Sequence, residues 1–181
     1  MPRNQNDRTL AVLNRISEMI AGRTPLPAIL HAVAEATQEL THARWGLFLY
    51  RPPARPAEFY GPDAAVSLGP ALLEALEAAG STNGALTTLT MMAHDGTDAS
   101  LTAVAAPVFH GHALRGALAA LYDSQPARLP VTALTLLNNQ ARIAMEKWRL
   151  GNIDPESYDG VIQALASLID TRFSHRPSRQ R

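Results

Sequence analysis

The chain has 181 residues, no cysteine, and sixteen basic residues balanced by sixteen acidic ones, for a formal net charge of zero. That length suits one ordinary domain plus an extension, and the missing cysteines exclude disulfides, thiolate metal sites and cysteine nucleophiles. The balanced charge leaves no whole-protein field to draw the chain to nucleic acid or to an anionic membrane.

The start, MPRNQNDR, carries no apolar signal region, and no run of about eighteen apolar residues follows anywhere, so neither a signal peptide nor a membrane span is expected. With no thiols to keep oxidised, the expected location is the cytoplasm. Arg172, His175, Arg176, Arg179 and Arg181 crowd the C-terminal end and read as a solvated terminus.

Leu13, Ile16, Met19 and Ile20 fall on one helical stripe, and Gly22 ends that first helix. Thr24 is placed to cap a second helix and Pro25 to begin it, with Leu26, Ile29, Leu30, Val33, Thr37 and Leu40 as its apolar face. The period then changes to two. In ARWGLFLY, Trp45, Leu47 and Leu49 form one alternate set and Gly46, Phe48 and Tyr50 the other, so the segment predicts a strand covered on both faces. RPPARP, residues 51–56, cannot donate to a sheet ladder and reads as a loop before a short edge strand around AEFYG.

GPALLEALEAAG sets Leu72, Leu73 and Leu76 at helical spacing between glycines and predicts a short helix crossing a face or edge of the sheet. ALTTLTMMAHDGTDAS reads as a strand that breaks into a loop at His94, Asp95 and Gly96. LTAVAAPVF and ALRGALAALYD, separated by His110, Gly111 and His112, predict an antiparallel hairpin. After Pro130, Leu134, Leu137, Ala141, Ala144 or Met145, and Trp148 trace a long helix; GNIDPES interrupts it. Val161, Ile162, Leu165, Leu168 and Ile169 then form another amphipathic pattern, with Tyr158 near its start.

Two helices, a central strand, a variable middle, the hairpin TAVAAPVFHGHALRGALAALYD (102–123) and the helix LTLLNNQARIAMEKWRL together resemble a GAF domain over roughly residues 7–150. The resemblance implies an α+β fold: a central antiparallel sheet, helices from both chain ends on one face, and a loop-covered ligand pocket on the other. It implies that Pro107 ends the strand before the hairpin, that Gly111 sits in the turn and that Gly116 allows close approach within the sheet. It also implies a sensory, regulatory module for signal transduction, binding a small molecule, with no catalysis of its own. A covalently linked tetrapyrrole is not expected without cysteine, and the cysteine-dependent methionine-sulfoxide reductase branch is excluded. The Asn-Lys-Phe-Asp type signature of the cyclic-nucleotide branch is not visible.

Candidate pocket walls are Trp45, Phe59, Tyr60, Met91 and Met92, with Thr102, His94 and Asp95 as polar contacts; burial in the core accounts for the same aromatic and Met residues. Ala103, Ala105, Ala106, Gly116, Ala117, Ala119 and Ala120 leave little side-chain volume on either face of the sheet, so close-packed helices or a ligand must fill the space. His110 and His112 have no third ligand nearby in sequence, and an exposed hairpin tip is their reading. Leu13, Ile16 and Ile20 with Leu137, Ala144 and Trp148 are the expected seam of a homodimer. A rival reading is a ligand-free dimerisation or scaffold module.

ALASLIDTR is similar to the first helix of HD-type phosphohydrolase domains, among them the HD-GYP cyclic di-GMP phosphodiesterases, but Phe173 and His175 depart from that pattern. The domain expectation is therefore a sensory domain over 1–152, followed at 153–181 by a linker and a helix. That segment either leads into a downstream output domain or only packs and dimerises.

Overall fold

The computed structural model describes residues 3–80, 85–92 and 100–151, with side chains from Asp7 onward. The readings made for residues 153–181 lie outside the described residues. The chain divides into two compact units, 1–145 and 146–181. That boundary precedes the expected one at 152, and Ala144 is the last core residue of the helix in which it falls.

Two helices open the first unit, α1 (Arg3–Ala21) and α2 (Leu26–Thr41). Strands β1 (Trp45–Tyr50) and β2 (Glu58–Tyr60) follow, then helices α3 (Asp63–Val66) and α4 (Gly69–Ala78). Strands β3 (Thr87–Met92), β4 (Ser100–His110) and β5 (Ala113–Tyr122) precede the 21-residue helix α5 (Val131–Gly151). The strands form one antiparallel sheet in the order β2-β1-β5-β4-β3.

Period-two alternation divides the sheet's side chains between two cores. Phe48, Val104, Leu118 and Ala120 join the inner stripes of α1, α2 and α5 on one face. Leu47, Leu49, Ala103, Ala105, Ala117 and Ala119 join α3 and α4 on the other. The sequence expectation for β1, apolar on both sides, is met along its centre: Leu47, Phe48 and Leu49 are fully buried, while Trp45 and Tyr50 at its ends are partly buried.

Helix α2 is the element that meets the sheet at backbone distance. A Cβ at Gly46 would collide with the Ala34 carbonyl and crowd the Gln38 amide at 3.1 Å, so only glycine lets α2 lie this close to β1. Ile29, Leu30 and Val33 fill the contact around it. Thr37 is buried within the same helix, and its hydroxyl donates to the Val33 carbonyl at 2.9 Å.

Two local expectations are corrected. Thr24 does not cap α2: Pro25 is the capping residue, with no side-chain hydrogen bond, and its carbonyl accepts the amides of Ala28 and Ile29. Pro107 does not end a strand: β4 runs through it to His110, with Pro107 opposite Ala117. Strand β3 pairs with β4 only as far as Ala105, so Pro107 stands where the outer edge of β4 has no paired strand among the described residues, and a missing donor is tolerated. The hairpin itself is as expected, with Gly111 at φ +61° in the turn and Gly116 2.8 Å from the Leu49 carbonyl when given a Cβ.

The expected dimer seam is the inner face of the helices. Ile16, Ile20, Leu137 and Ala144 are buried within the chain and Leu13 is half-buried against the same core, so these residues are not available to a partner. A helical stripe identifies a face that avoids water, and here the sheet and α2 take it. Trp148 belongs to the second unit and is exposed.

Replacing Gly46 with Val should cost about 3 kcal/mol, at the upper end of ordinary overpacking because the obstacle is backbone. That predicts a melting temperature lower by roughly 10 °C. Calorimetry of the variant checks it, and an unchanged melting temperature would mean that α2 does not lie against β1 at this point.

Candidate functional site

The face of the sheet expected to carry a pocket is covered by α3 and α4. Leu68, Leu72 and Leu76 descend onto the patch formed by Ala103, Ala105, Ala117 and Ala119, and all are buried. The small residues there receive the large side chains of α4, the packing that keeps an interior at native density. Trp45, Phe59 and Met91 belong to this core: Phe59 packs against Gly69 at the start of α4, and Met91 is buried. The Trp45 ring lies under the Arg44 guanidinium at 4.1 Å, a cation–π contact that shields its half-exposed face.

The other predicted contacts lie elsewhere. Thr102 shares the alternate set of Val104 and faces the helices, opposite Tyr122 across the ladder. Tyr60 packs beside the helix-side core, and Met92, next to buried Met91, points the other way and is 56% exposed. His94 and Asp95 lie outside the described residues. The described members of the predicted set are therefore split between two faces of the sheet. Among the described residues no three His, Asp or Glu side chains are grouped as metal ligands, and His110 and His112 are exposed at the hairpin tip.

Two open cavities bear on function among the described residues of the first unit. A groove of about 690 Å³ runs between the β1–β2 loop and the hairpin tip, lined by Arg51, Arg55, His112 and Arg115 with Pro52 and Pro56. Arg51 is paired there with Glu77 at 2.5 Å. The second cavity, about 730 Å³, lies on the helix side of the sheet between α5 and the part of β4 beyond its pairing with β3. Ala106, Val108 and Leu86 form its sheet-side wall, and Thr135, Asn138, Asn139 and Arg142 come from α5. Apart from Ala106, one of the small sheet residues, none of these residues stood out in the sequence. The only available signal was the polar run Asn138-Asn139-Gln140 inside an otherwise apolar helical seam.

Burial raises the phenol pKa of Tyr50, Tyr60 and Tyr122. Tyr60 is raised most. Burial is the largest cause, and its hydroxyl also donates to the Glu58 carboxylate, whose negative charge opposes a phenolate beside it. Both Tyr60 and Glu58 lie on β2, two residues apart on one side of an edge strand.

No family model and no curated protein matches the sequence. Solved structures do. The phycoerythrobilin-bound GAF domain of a cyanobacterial phytochrome superposes with a TM-score of 0.52 at 16% identity, over 81% of this chain and 98% of that one. The GAF domain of a putative sensor histidine kinase from Pseudomonas syringae pv. tomato gives 0.50 at 14% identity, over 91% of this chain and 97% of the other. Among the described residues, no helix is long and apolar enough to cross a membrane.

A phenol whose folded pKa is raised stabilises the fold fully below its ordinary value near 10, and that stability is lost as pH rises through the folded value. Phenolate absorbance of the native protein should therefore lag behind that of the urea-unfolded chain above pH 10, and Tyr60→Phe should remove the latest-titrating component. Complete titration of Tyr60 near pH 10 would contradict its contact with Glu58.

Proposed function

With the fold of a GAF domain as the premise, we propose that this chain is a sensory, regulatory module that binds a small molecule and relays its bound state through α1 and α5 between two copies. The observation that carries the relay is the outer face of α5. Its inner stripe, Leu134, Leu137, Ala141 and Ala144, is spent in the core, yet Leu136 and Ile143, seven residues apart, remain 38% and 51% exposed. Leu129 and Leu150 continue the same seven-residue spacing in the sequence and are also exposed. Recurrence of large apolar residues at that period on an exposed helix is the pattern of a helix–helix seam. Leu10 on α1, 58% exposed, adds to the apolar surface.

The dimer surface is thus the complement of the stripe first read from the sequence. Helices α1 and α5 are neighbours, with the Ser17 hydroxyl donating to Gln140 at 3.5 Å, so a partner seated on their outer faces would act on both terminal helices together. Ligand binding biases that arrangement only by as much as the ligand distinguishes its two states. The bilin named for the phytochrome neighbour cannot be attached here through a thioether, since the chain has no cysteine. A second reading, a ligand-free dimerisation or scaffold module, is supported by the α4 leucines that fill the sheet face first assigned to a pocket.

Light scattering at micromolar concentration should give twice the chain mass, and Leu136→Glu with Ile143→Glu should return it to the single-chain mass without loss of helical circular dichroism. A wild-type mass equal to one chain would overturn the relay between copies.

A further inference from the structure

The cavity beneath α5 has a composition that packing alone does not explain. A helix turns its apolar side to the protein, yet Thr135, Asn138, Asn139 and Arg142, at steps of three and four along α5, line the space between helix and sheet. The Asn138 Oδ1 is buried with no hydrogen-bond partner among the described residues, and no carboxylate is paired there with Arg142. The remaining walls, Leu86, Val108, Phe109, Leu129 and Val131, are apolar. An open cavity that sets apolar walls beside convergent polar groups has the elements of a small-molecule site, and about 730 Å³ is within the ordinary size of such sites.

We propose that this cavity binds a small carboxylic acid with an apolar body and an N–H donor beside its head group, a molecule of the N-acyl amino acid type. One guanidinium matches one carboxylate, with two parallel hydrogen bonds, whereas a phosphate dianion would call for more cations than the single one that lines the cavity among the described residues. Asn138 stands one turn before Arg142, roughly 6 Å along the helix axis, a separation that lets the head-group carboxylate reach the arginine while the neighbouring N–H donates to the buried Oδ1. The acyl chain then lies along Leu86, Val108 and Val131. This site is on the opposite face of the sheet from the pocket expected of the fold, and its occupant touches α5 directly. The regulatory consequence rests on the relay proposed above; occupancy does not, and it is measured separately from chain mass.

The test is calorimetric titration of the full chain with N-octanoylglycine. Saturable binding at one molecule per chain is expected. N-octanoylsarcosine, which lacks the N–H, should bind several-fold more weakly, and octanoylglycinamide, which lacks the charge, about tenfold more weakly or not at all. Arg142→Gln, at an exposed position, should weaken binding about tenfold, while Arg115→Gln in the other arginine-lined groove should leave it unchanged. Asn138→Leu should raise the melting temperature of the free protein while weakening binding, the opposite directions that distinguish a ligand contact from a structural one. No binding at millimolar acid, equal binding of acid and amide, or full affinity in Arg142→Gln would overturn the proposal.

Discussion

The approach of α2 to β1 at Gly46 sets the geometry of everything around it. Because the strand offers no Cβ there, the Ala34 carbonyl rests on the sheet backbone, and the side chains beside it, Phe48 beneath and Ile29, Leu30 and Val33 above, are pressed into one layer. Helix α2 also packs beside β5 and β2. Helix α5 has no such glycine beneath it and lies on Leu134, Leu137, Ala141 and Ala144. Beside these contacts, where a flank of the same stretch of α5 faces the unpaired part of β4, space remains between helix and sheet, and the larger of the two cavities described occupies it.

The alanine-rich hairpin has two roles because its faces meet different partners. On one side Ala103, Ala105, Ala117 and Ala119 are deep enough for α4 to insert Leu72 and Leu76, so a short ten-residue helix closes that face with large side chains. On the other side Ala120 lets the terminal helices pack, and Ala106 gives the floor of the open cavity. The alternatives weighed from the sequence, close-packed helices or a ligand, therefore apply to different faces of the same strands.

Much of the architecture was legible because period is a local property. The elements around ARWGLFLY, the β4–β5 hairpin and the α5 pattern were identified by spacing, and the strands' alternate sets fall on the faces that the spacing implied. The site was far less legible. Met91 and Met92 looked like a paired wall, but neighbours on a strand point to opposite faces, and one is core while the other is exposed. Trp45, Phe59 and Tyr60 were chosen by residue type, and the chain distributes them between two cores. Asn138 and Arg142 gave no comparable signal, since a polar residue on a helix ordinarily faces solvent.

What the sequence determined by itself is the described elements other than the four-residue α3, their order, which strands pair as neighbours in the hairpin, and the absence of any chemistry that needs a thiol. What only the tertiary structure decided is what each apolar stripe faces. Ile16, Ile20, Leu137 and Ala144 proved to be the inside of one chain, leaving Leu136 and Ile143 as its outside, and Pro107 proved to be an edge position within a strand. The physical reason is that periodicity records that a side chain leaves water. Its neighbour in the interior is fixed by contacts between residues far apart in the chain, such as Gly46 with Ala34, whose distances no local pattern contains.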